Sequence, residues 1–82
     1  MGTERLTRYA AHARGLQLAG MRVAAGVTQA EVAGAMGISQ ARVSKIEHGE
    51  IASITVVRAY VAALGGTVHF YATFDDDVWS LT

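Results

Sequence analysis

Apolar residues recur at three- and four-residue spacing from the first turn of this chain. Leu6, Tyr9, Ala10, Ala13 and Leu16 form one stripe, and Leu18, Met21 and Ala25 continue on a shifted line. That period predicts helix, either one long bent helix or two short ones, with Gly15 and Gly20 as kinks or breaks and Gly26 as the stop. Thr28-Gln-Ala-Glu31 follows, a capping box in which the hydroxyl accepts from an early helical amide while Glu31 reaches back to the amide of Thr28. A short second helix is expected over Gln29 to Met36, with Val32, Ala33 and Met36 inward. Gly37 and Ile38 make the turn, Ser39 caps a third helix whose inner stripe is Val43 and Ile46, and Gly49 ends it. Ser53 can cap another helix, in which Ile54, Val57, Tyr60, Val61 and Leu64 keep the period before Gly65 and Gly66 close it.

From Thr67 the period drops to two. Val68, Phe70, Ala72 and Phe74 alternate with Thr67, His69, Tyr71 and Thr73, a β-branched and aromatic pattern that predicts a strand over 67–74. Asp75, Asp76 and Asp77 suit a turn, and Val78 to Leu81 a shorter returning strand. A lone hairpin is unstable in water, so this one either pairs with a second copy across a two-fold axis or folds back on its own helices. A chain of 82 residues buries a small core, which favours the first. Val68, Phe70, Tyr71, Ala72, Phe74 and Trp79 are then the expected dimer interface. The expected fold is mostly α, with four to five helices over residues 1–66 and a dimerising hairpin over 67–82.

Composition narrows the chemistry. There is no cysteine, and His12, His48 and His69 are too far apart to read as a ligand cluster, so neither metal nor cofactor is expected. No carboxylate pair or Ser-His-Asp spacing suggests catalysis, and so small a core leaves little room for a pocket. The apolar runs are too short to span a membrane, and a cytoplasmic protein is expected. The formal net charge is zero, but it is unevenly spread. Residues 1–49 carry six Lys and Arg against three acids, a net of +3, and residues 50–82 carry one Arg against four acids, a net of −3. The first half therefore reads as a basic working surface.

Between Gln29 and His48 two helices meet at a sharp corner. Small Ala33 lets them approach, Gly37 makes the turn, and Ile38, Val43 and Ile46 fill the wedge, leaving one face of the second helix exposed. The stretch RVAAGVTQAEVAGAMGISQARVSKIEHG, Arg22 to Gly49, resembles the helix-turn-helix of the lambda-repressor-like (XRE-type) family at every fixed element of that family's pattern. The resemblance implies that this helix enters the major groove of double-stranded DNA. It implies phosphate contacts from Gln29 and Ser39 at the two helix starts, with Thr28 beside them and Arg42 reaching the backbone. Gln40, Ala41, Ser44 and Lys45 match base-reading positions, where glutamine suits adenine, lysine suits guanine and a methyl group suits thymine. Arg22 and Glu47 match a structural ion pair.

The following segment, VRAYVAALGGTVHFYATF, resembles the HigA-like antitoxins within that family. That likeness implies a repressor of its own operon, binding a palindromic operator as a homodimer through helix 39–48, with a small ribonuclease toxin as partner. Stand-alone regulators share the same segment. The alternative is an interaction module that sequesters a partner protein without binding DNA.

Overall fold

The structure is a computed structural model that describes residues 3–51 and 53–81, with side chains from Arg14 onward. Helix α1 spans Thr3–Ala24, α2 Gln29–Met36, α3 Gln40–Glu47 and α4 Ile54–Ala63; strands β1, Tyr71–Phe74, and β2, Asp77–Ser80, follow. Local chemistry sets the starts of the last three helices. Thr28 Oγ1 accepts from the Glu31 amide at 3.1 Å while Glu31 Oε1 accepts from the Thr28 amide at 3.0 Å, the reciprocal bonds of a capping box. Ser39 and Ser53 cap α3 and α4 by accepting from the amides of Arg42 and Val56. Gly37 ends α2 at φ +69°, a left-handed conformation that glycine adopts without a Cβ penalty, and the Ile38 amide closes the corner on the Ala33 carbonyl.

Helix α1 runs unbroken through both of its interior glycines. The sequence reading of Gly15 as a kink is corrected: a Cβ there would lie 2.6 Å from the Glu47 carbonyl oxygen and 2.7 Å from the Gly49 amide. Gly15 is therefore the point at which α1 touches the backbone end of α3. A second correction concerns Leu16, which is 58% exposed on the far side of the helix, while Leu18 is buried. Leu6, Tyr9, Ala10 and Ala13 of the same expected stripe lie outside the described side chains. Ile54, in the first turn of α4, is likewise exposed rather than inward.

The core is made by Leu18 of α1, Val32 and Ala33 of α2, Val43 and Ile46 of α3, and Val57 and Tyr60 of α4. Every helix contributes, so none of them buries its apolar stripe without the others. Val68 and other half-buried residues pack around this cluster.

The hairpin pairs Tyr71 with Ser80, Ala72 with Trp79, Thr73 with Val78 and Phe74 with Asp77. The first strand thus begins at Tyr71, four residues later than its alternating pattern predicts. The returning strand is short: one further bond, from the Leu81 amide to the Phe70 carbonyl, extends the pairing, and Thr67 to His69 have no strand opposite them. Asp75 turns the chain at φ +51°, and Asp77 already belongs to β2. The base of the hairpin touches the helices through Val68 and through Phe70, whose ring lies 5.6 Å beneath the Arg58 guanidinium. Its outer part is not covered, and Tyr71, Phe74, Val78, Trp79 and Leu81 are each 61–66% exposed.

Candidate nucleic-acid interface

Helix α3 divides cleanly between its two sides. Val43, Ile46 and Glu47 are buried, whereas Gln40, Ala41, Arg42 and Lys45 are exposed and Ser44 is half-buried. At 3.6 residues per turn, Gln40, Ala41, Ser44 and Lys45 share one outward face and Arg42 stands at its edge. The amides of the first turns of α2 and α3 have no intrahelical acceptors, so both helix starts favour anions. Ser39 accepts at its hydroxyl oxygen from Arg42, leaving its proton available to donate. Thr28 is exposed and held in the capping box.

Behind this face lies a carboxylate hub. Glu47, 6% exposed, accepts from Arg22 Nε at 2.7 Å and Arg22 Nη2 at 3.1 Å, from Gln29 Nε2 at 3.0 Å and from the Tyr60 hydroxyl at 2.5 Å. Arg22 also donates from Nη1 to the Val27 carbonyl at 3.0 Å. One carboxylate therefore ties the end of α1, the start of α2, the end of α3 and the middle of α4 together. Burial disfavours its charged form, but the hydrogen bonds from Arg22, Tyr60 and Gln29 outweigh this and hold its pKa below the ordinary value. The same contacts act oppositely on Tyr60, whose hydroxyl pKa is raised by burial and by the neighbouring carboxylate. Its single proton serves Glu47, and the Leu18 carbonyl lies 3.2 Å from the same oxygen.

Two of these roles were not visible in the sequence reading. Gln29, expected to give its side-chain amide to phosphate, is half-buried with Nε2 engaged by Glu47, leaving its second amide proton and its carbonyl oxygen to other partners. Tyr60 was expected only as an apolar stripe residue. A buried tyrosine nevertheless needs a partner for its hydroxyl, and that rule, applied to the most central position of α4, was the available signal. His48 joins α3 at its other end, with Nδ1 2.7 Å from the Ser44 carbonyl.

The expected interface residues of the hairpin divide by face. Phe70, Ala72 and Phe74 lie on one side with Trp79 opposite Ala72, whereas Tyr71 leaves on the other side. Val68 belongs to the helical body. Among the described residues, no group of His, Cys, Asp and Glu could hold a metal ion, and no helix is long and apolar enough to cross a membrane.

A helix-turn-helix domain family matches residues 15–69. The antitoxin HigA3 of Mycobacterium tuberculosis (strain H37Rv) is 46% identical over 69 residues, covering 80% of this chain and 63% of the relative, so the chain spans under two thirds of that protein's length. HigA2 of the same organism is 39% identical over 70 residues, 83% of this chain and 69% of the relative. Two solved structures superpose well. One, described as induced DNA bending by unique dimerization of a HigA antitoxin, has a TM-score of 0.71 at 47% identity and covers 79% of this chain and 90% of that one. The other, DNA-bound antitoxin HigA3, has a TM-score of 0.73 at 46% identity and covers 78% and 86%. With the α2–α3 corner and the buried Arg22–Glu47 pair, these likenesses mean that the chain belongs to the helix-turn-helix family, in its XRE-type, HigA-like branch.

Proposed function

We propose that this chain is a sequence-specific DNA-binding repressor of the HigA antitoxin type, acting in the cytoplasm as a homodimer. The observation that carries the reading is the division of α3, with polar Gln40, Ser44 and Lys45 outward and the Glu47 hub inward, so that the outward face is held rigid while Gln40 and Lys45 stay exposed and the Ser44 hydroxyl lies 3.4 Å from His48 Nδ1. Ser39 and the free amides at the helix starts contact phosphates, with Thr28, Gln29 and Arg42 along the same edge. Gln40 reads adenine, Lys45 reads guanine, Ser44 bonds either and Ala41 touches a thymine methyl. Residues 1–66 serve as the DNA-binding unit and residues 67–82 as the dimerising one. The hairpin's uncovered apolar face supports that division. Two recognition helices related by a two-fold axis would read half-sites about 34 Å apart on a palindrome. The relatives named as antitoxins support a small toxin as a second protein partner.

Fluorescence anisotropy with the DNA upstream of the protein's own gene tests the reading. Lys45→Ala and Gln40→Ala are each expected to weaken specific binding by about 1–3 kcal/mol with unchanged helix content. Retention of wild-type affinity by both would remove the base-reading roles.

A further inference from the structure

On the side of the molecule that carries the hairpin, an open groove of about 240 Å³ runs between α1, α4 and the segment after α4. Buried Leu18 and Val57 lie at its base, with Met21 of α1 and Val61 of α4 beside them. Phe70 also lines the groove and begins the apolar face of the hairpin, so the groove and that face form one continuous surface. Further out on this face, Phe74, Trp79 and Leu81 are each about two-thirds exposed.

This face is too small to hold a dimer by itself. Taking ~200 Å² for a large side chain, three residues two-thirds exposed offer about 400 Å² per protomer, half of the ~800 Å² that a stable interface buries on each partner. The groove adjoins the face and supplies further apolar surface. Charge gives the direction. The hairpin ends in Asp75, Asp76 and Asp77, all exposed, in a half of the chain with net −3, whereas residues 1–49 carry net +3. A two-fold contact that brought the acidic tip of each copy to the basic half of the other would make that attraction twice.

We propose that in the homodimer each hairpin crosses to its partner and seats Trp79 and Leu81 in the partner's groove between α1 and α4. The proposal rests on the homodimer reading above and specifies which surface closes it.

The chain has no cysteine, so single ones report proximity cleanly. Full-length Met21→Cys and Leu81→Cys chains, mixed and oxidised, are expected to form a mixed disulfide, because such a bond needs Cα atoms within about 7 Å. Leu16→Cys, on the opposite side of α1, should not form one with Leu81→Cys. Met21→Gln is expected to raise the dimer dissociation constant about tenfold in sedimentation, and Leu16→Gln to leave it unchanged. A dimer that cross-links Leu81→Cys equally to both positions, or that Met21→Gln does not weaken, overturns the groove docking and leaves the DNA-binding dimer standing. A full-length chain that sediments as a monomer at micromolar concentration overturns both.

Discussion

Two glycines of α1 should answer the same substitution with opposite signs. In an exposed helix interior Gly→Ala stabilises by about 1 kcal/mol, because alanine loses less backbone freedom on folding. Gly20 meets that condition, since a Cβ added there finds no atom within 4 Å. Gly20→Ala should therefore raise stability by about 0.5–1 kcal/mol. At Gly15 the same Cβ would lie 2.6 Å from the Glu47 carbonyl oxygen and 2.7 Å from the Gly49 amide nitrogen, both backbone atoms that cannot swing aside. The helix must retreat by several tenths of an ångström, an overpacking that costs about 1–3 kcal/mol. After the propensity gain, Gly15→Ala should be destabilising by up to about 2.5 kcal/mol, or a fall in Tm of up to roughly 20 °C for a domain of this size. Thermal unfolding followed by circular dichroism, at one fixed protein concentration because a dimer's Tm depends on it, measures both. A Gly15→Ala protein at least as stable as Gly20→Ala would refute the close approach of α1 to the end of α3.

The Glu47 hub and the sparse charge of the chain supply three more predictions. Tyr60→Phe removes a hydroxyl bonded to a buried carboxylate without opening a cavity, and should cost about 1.5–3 kcal/mol in urea unfolding; no loss would mean that the bond contributes nothing. Glu47 is held below its ordinary pKa in the folded chain, so its stabilising contribution is complete above about pH 4.3, the unfolded value, and is lost as pH falls through the folded one. The stability gap between wild type and Glu47→Gln should accordingly narrow on acidification, and a gap independent of pH would contradict the hub. Arg42 is the cation of α3 assigned to the phosphates, so a dimer neutralising about two phosphates through it should show a slope near −2 in log K against log salt, and a much steeper slope would point to basic contacts elsewhere.

The hub explains how a short helix can hold a rigid outward face on so small a body. Helix α3 has eight residues, too few to be stable alone. Its outward side chains keep their positions because Val43 and Ile46 are packed behind them and Glu47 is gripped from three other helices. The inside of α3 is thus committed to structure and the outside is left exposed.

Caps, turns and the α2–α3 corner were legible in the sequence because each depends on residues within a few positions of one another. Thr28 with Glu31, Ser39, Ser53 and Gly37 act on their own helix ends, whatever the rest of the chain does. The start of β1 and the inward side of α1 were not legible, because both depend on partners far along the chain. Strand alternation begins at residue 67, but pairing begins only where a returning strand exists to accept it. Apolar spacing on α1 marks two possible faces, and only the approach of Glu47 and Gly49 to Gly15 selects the one that is buried. The attachment of Gln29 and Tyr60 to a single carboxylate joins positions as much as 31 residues apart, and such a meeting is decided by packing in three dimensions and by the cost of leaving a buried charge unpaired.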